Sequence, residues 1–78
     1  MSNTEKYQKA FKEAFMVGEE KLSNLKYQDI PEWDSVGHMA LMAAIEEAFD
    51  ISLEMDDVID FSSYEYGMQL LKKYDINF

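Results

Sequence analysis

Apolar and polar positions along the chain read as four helical segments, and no stretch alternates in the manner of a strand. The first segment runs from about Thr4 to Val17. Tyr7, Ala10, Phe11, Ala14 and Phe15 recur at i, i+3, i+4, i+7 and i+8 and form one apolar stripe, while Lys6, Lys9, Lys12 and Glu13 fall off it. Ser2 and Glu5 have the spacing of a capping box, and Gly18 is the expected stop. From Glu19 to Trp33 the pattern weakens. Leu22, Leu25, Tyr27 and Ile30 look like anchors of a long ordered connection, which holds no glycine-serine tract. Pro31 ends any helix before it. A second helix is expected from Asp34, a good N-cap, to about Phe49, with Ser35 at its first position. Gly37 falls in its first turns at a cost of up to ~1 kcal/mol relative to alanine. A short third helix fits Met55–Asp60, and a fourth fits Ser63–Tyr74 with Ser62 and Glu65 as its capping box. Tyr64, Met68 and Leu71 make the stripe of the fourth, and Lys72 and Lys73 suit its C-terminal end. The expected fold is all-α, a four-helix bundle with a short third helix and a long loop between helices one and two.

The second helix carries two apolar faces. At roughly 100° per residue, Leu41, Met42, Ile45, Ala48 and Phe49 share a broad arc that should face the core. Val36, Met39 and Ala43 lie on another arc, nearly opposite and flanked by Glu46 and Glu47. A bundle this small rarely buries a helix on all sides, so that second strip should face water, as partner sites do. The alternative is that Met39 packs beneath the long connection.

Length and charge narrow the functional classes. The chain has 78 residues, enough for a single domain over 1–78 and too few for a large buried catalytic cavity. No apolar run approaches the ~20 residues of a membrane span. The N-terminus lacks the form of a secretory signal, so a cytoplasmic address is expected. There is no cysteine, which removes disulfides, thiolate metal sites and a thiol nucleophile. The net charge is −9, the wrong sign for collecting phosphates, so neither nucleic acid nor an anionic membrane is an expected partner. Residues 29–65 hold eleven acids and no lysine, whereas residues 1–28 are nearly neutral. That asymmetry suits either a solvated surface or a docking face for basic partners.

Enzymatic chemistry is poorly represented. His38 is the one histidine, and by helical angle it points toward the core side, where packing or hydrogen bonding is its expected role. Asp50, Glu54, Asp56, Asp57 and Asp60 suggest calcium, but the central glycine and terminal glutamate of an EF-hand loop are missing. No metal site and no catalytic group are expected. Ser35 is the hydroxyl in a special place, just inside a helix start, where backbone N–H groups and the macrodipole favour a phosphate. Serine is also simply common there.

Asp34-Ser35-Val36, opening a helix after a long loop, resembles the Asp-Ser-Leu attachment motif of acyl carrier proteins. The run from Ala44 to Leu53 is similar to the acidic exit of helix two in bacterial members. Asp56-Asp57-Val58 and Phe61-Ser62-Ser63 correspond to the short third helix and the start of the fourth. The resemblance covers about residues 4–74. It implies a carrier rather than an enzyme, with 4′-phosphopantetheine from coenzyme A attached to Ser35 by a phosphopantetheinyl transferase. Asp34 would cap the helix and help present the serine. The arm's thiol would carry acyl groups as thioesters in fatty-acid or specialised acyl or polyketide biosynthesis. Val36, Met39 and Ala43 would form the apolar centre of the docking strip. Glu46, Glu47, Asp50, Asp56 and Asp57 would meet basic patches on acyl-transferring and acyl-modifying enzymes, and the carrier would be a monomer. Val36 stands for the usual leucine, and Gly37 and Ala40 stand where acids are common. Trp33 and Gly37-His38-Met39 look more like a specialised carrier. The rival reading is an unmodified acidic helical adaptor that binds basic partners through the same strip.

Overall fold

The computed structural model describes residues 2–78. These form four α-helices: α1 (Asn3–Phe15), α2 (Ser35–Phe49), α3 (Met55–Asp60) and α4 (Tyr64–Leu71). Two 3-10 segments, Glu19–Asn24 and Lys72–Tyr74, complete the regular structure, and the described residues hold no strand.

The capping box at the start of α1 is formed. Glu5 N donates to Ser2 Oγ at 3.1 Å, and Ser2 N donates to Glu5 Oε1 at 3.1 Å. The bond from the Ser2 backbone N–H, and after it the Ser2 hydroxyl, hold the Glu5 carboxyl below its ordinary range. The stripe of α1 is buried as its period requires, with Tyr7, Ala10, Phe11 and Phe15 in the core and Ala14 half-buried. The helix stops earlier than the glycine suggested. Met16 takes the left-handed conformation, at φ 55°, and its N–H donates to Lys12 O at 2.7 Å. Gly18, at φ −77°, instead opens the 3-10 segment.

The long connection is ordered, and backbone bonds tie it to the start of α4. Tyr27 N donates to Ser62 O and Tyr64 N to Leu25 O, each at 2.9 Å, which makes an isolated antiparallel bridge of Lys26 with Ser63. Leu22 and Leu25 are buried and Ile30 half-buried, as their anchoring role requires, while Tyr27 stays partly exposed. Trp33 is fully buried, stacked on Phe15 at 5.1 Å and edge-on to Phe11 at 5.6 Å. Each such large apolar side chain contributes roughly 1.5–3 kcal/mol relative to exposure.

Helix α2 begins and ends where the sequence places it. Asp34 Oδ1 accepts from Gly37 N at 2.8 Å, satisfying one of the orphan donors of a helix start. Leu41, Met42 and Ile45 are buried, while Ala48 and Phe49 are half-buried. The main helix–helix contact of the molecule is α1 on α2.

Helix α4 differs from its expected form at both ends. Its cap is Ser63, whose Oγ accepts from Tyr66 N at 3.0 Å, and not Ser62. The Ser62 carbonyl is occupied by Tyr27 N–H, while the Ser63 carbonyl takes the first helical bond, from Gly67 N at 2.9 Å. After Leu71 the chain tightens into the 3-10 turn. Tyr7 links the two ends of the sequence: its hydroxyl donates to Tyr64 O at 2.6 Å, and burial pushes its phenol well above the usual range. No helix among the described residues is long and apolar enough to cross a membrane.

Candidate functional site

Ser35 sits on the surface at the first position of α2, beside the capping Asp34. It lies on the rim of an open groove of about 420 Å³ between the start of α2 and α3. Ser35, His38 and Met39 supply one wall. Met55, Val58 and Ile59 supply the other. Phe61, Tyr27 and Ser62 complete the lining.

The rim is greasy on the outside as well. Val36 is 78% exposed and Met39 56%, and Ala43 is exposed one turn further along. Met39 therefore does not pack beneath the connection. Across the groove Met55 and Ile59, one turn apart on α3, are each 71% exposed. Met39, Met55 and Ile59 thus face water around one depression, with Val36 exposed next to Ser35, in a molecule with a fully formed aromatic core. Burying that surface against a partner would be favourable, which is the usual property of a binding face.

The acids do not behave as one set. Asp34, Glu47, Asp50 and Asp56 are exposed. Glu47 faces the crevice between α1 and α2 and shares it with Lys6 and with the Lys9–Glu13 pair, so its field is partly offset, chiefly by Lys6. Glu46 is half-buried and committed to the fold, since its Oε2 accepts from Leu53 N at 2.7 Å. Asp57 must be removed from the docking set. It is only 5% exposed, accepts from Lys73 Nζ at 2.6 Å, and accepts the Tyr74 hydroxyl on its other oxygen. The Lys73 bond, then the Tyr74 bond, hold its carboxyl below the ordinary aspartate value of 3.8. The same contact raises Lys73. For Tyr74, burial raises the phenol first and the bond to Asp57 adds to it. Tyr74 also accepts from Glu54 N at 3.0 Å, so the C-terminal turn clamps both the first residues of α3 and its cap.

His38 has the hydrogen-bonding role that its angle suggests. Trp33 Nε1 donates to His38 Nδ1 at 3.0 Å, and His38 Nε2 lies 2.7 Å from Val58 O. An indole N–H can only donate and a carbonyl can only accept. The ring is therefore the neutral tautomer with its proton on Nε2. Both nitrogens are committed to the fold, which leaves neither to act as a base toward Ser35.

The sequence reading missed the α3 wall. Met55 and Ile59 at i, i+4 on a short helix were a visible signal, but a six-residue segment has too few turns to define a buried face. Tyr27, expected as an anchor of the connection, and Phe61, between α3 and α4, carried no local signal for the groove, because only the tertiary fold brings them to it. The chain matches no family model, no curated protein and no solved structure.

Proposed function

We propose that the protein is an acyl carrier arranged as a four-helix bundle, with 4′-phosphopantetheine esterified to Ser35. The observation that carries this reading is an exposed serine at a capped helix start, on the lip of an apolar groove. The residues fit such a group. The hydroxyl is accessible to a transferase, the helix start favours a phosphodiester charge, and the groove beside it offers apolar cover. The arm would supply the thiol that the polypeptide lacks, and with it thioester chemistry.

Val36, Met39 and Ala43 would make the apolar centre of the contact with enzymes, extended by Met55 and Ile59. Asp34, Glu47, Asp50 and Asp56 would meet lysines and arginines on those enzymes. Rim charges of this kind raise association rates more than affinity, which suits a monomeric cytoplasmic shuttle that must release quickly.

Incubation with coenzyme A and a promiscuous phosphopantetheinyl transferase should add the mass of one arm. Ser35→Ala should abolish the addition. Ser62→Ala, at the edge of the same groove, should not. A folded wild-type protein that gains no mass would overturn the reading, and binding of basic partners that survives Ser35→Ala would turn it toward an unmodified adaptor.

A further inference from the structure

Helix α3 has little to hold it in place by itself. It is six residues long, and its buried side chain is Asp57, a carboxylate. Its apolar residues Met55 and Ile59 face water, and Val58 is only half-buried. A helix of this length is unstable in isolation, and within it Val58 packs against the core, between the half-buried Leu53 and the buried Phe61 that flank the helix. Those flanks anchor its ends, and specific polar contacts decide how the six residues between them sit. They occur on two sides. On the side away from the groove, Asp57 and the Glu54 N–H are held by Lys73 and Tyr74 of the C-terminal turn. On the groove side, the Val58 carbonyl is held by His38.

His38 is itself rigidly placed. Trp33 lies parallel to its ring at 6.3 Å and donates to Nδ1. Tyr27 meets it edge-on at 5.6 Å, and Phe61 does so at 6.2 Å. Trp33 in turn is stacked into the α1 core through Phe15. A continuous path thus runs from the core, through an indole and an imidazole, to the backbone of the groove's outer wall.

We infer that His38 is a positioning residue, a latch that fixes α3 against the Ser35 end of α2 and so sets the width of the groove. Releasing it loosens the groove side of the wall that carries Met55, Val58 and Ile59, which the Lys73 and Tyr74 contacts then hold from the far side alone, while α1, α2 and α4 keep their packing. The groove then widens at the place where Ser35 meets it. The latch stands on geometry alone. Only its consequence for a group attached at Ser35 rests on the carrier reading.

The test compares wild type, His38→Gln and His38→Ala by amide hydrogen exchange, with nitrogen-15 spectra of the wild-type imidazole. Glutamine keeps one acceptor and one donor on a planar group, and so serves as the rescuing variant should alanine fold poorly. The imidazole should show the Nε2–H tautomer at neutral pH. In His38→Ala, the amides of Val58 and Phe61 and the Trp33 indole N–H should exchange about tenfold faster or more. Amides in the middle of α1 should change little, and His38→Gln should recover part of the protection. Unchanged exchange in α3, or equal acceleration in every helix, would overturn the latch, as would the opposite tautomer. Loading of Ser35 by a transferase is scored separately on the same three proteins. A complete failure to load any of them would refute the carrier reading and leave the exchange result standing.

Discussion

Replacing Gly37 with alanine sets two effects of opposite sign against each other. Helix propensity alone favours the change by up to ~1 kcal/mol, because glycine is the costlier residue inside a helix. The tertiary structure forbids it. A Cβ on Gly37 would lie 1.8 Å from the carbonyl oxygen of Glu32 and 3.0 Å from its carbon, where ordinary contact begins at 3.4 Å. The atom in the way is backbone, so it cannot swing aside as a side-chain tip could. The carbonyl must retreat by more than an ångström. Glu32 directly precedes Trp33, whose ring is stacked on Phe15 and bonded to His38, so the movement reaches the core. Overpacking of this kind costs about 1–3 kcal/mol, and loosening the indole bond adds about 1 kcal/mol. The clash wins. The expected net loss is about 1–3 kcal/mol, which in a domain of this size lowers Tm by about 5–20 °C. Thermal and urea unfolding followed by circular dichroism measure it. The control is Ala40→Gly, at an exposed position of the same helix, which should cost up to ~1 kcal/mol through propensity. Propensity by itself predicts opposite signs for the two swaps; the geometry predicts that both destabilise. A Gly37→Ala protein as stable as wild type, or more so, would refute the reasoning.

Met16 and Asp57 give two further expected outcomes. Met16 is 90% exposed and left-handed, so Met16→Gly relieves a strained backbone at little loss of packing; urea midpoints should rise by the equivalent of about 0.5–1 kcal/mol, and no rise would show that the left-handed turn is not strained. Asp57 has its folded carboxyl held below 3.8, so its contribution is present above that pH and is lost as pH falls through the depressed value. Asp57→Asn should therefore be less stable than wild type at neutral pH, with the gap closing on acidification; a gap that stays constant would exclude the ion pair as its cause.

Much of the architecture was written in local patterns. The period of α1, the Asp34 cap, the extent of α2 and the limits of α3 depend on residues within a turn or two of one another, and all are visible by spacing. The separation of Val36, Met39 and Ala43 from the core arc of α2 is equally local, since helix geometry alone sets it. The mistaken cap of α4 has a long-range cause. Two adjacent serines offered competing caps for α4, and the choice went to Ser63 because Tyr27, from the distant connection, engages the Ser62 carbonyl.

What the amino-acid order determined by itself was the set of helices, their amphipathic faces, the acidic middle of the chain and the placing of one serine at a helix start. The tertiary structure decided which of those features face one another. It turned Asp57 from a surface charge into a clamp, gave His38 two fixed partners, left no room for a side chain at Gly37 and closed α3 into a groove beside Ser35. The physical reason is range. Periodicity and capping act over three or four residues, whereas the Asp57 clamp and the His38–Val58 bond join positions 16 to 20 apart, and the approach of Glu32 and Trp33 to Gly37 and His38 depends on how the connection turns back before α2.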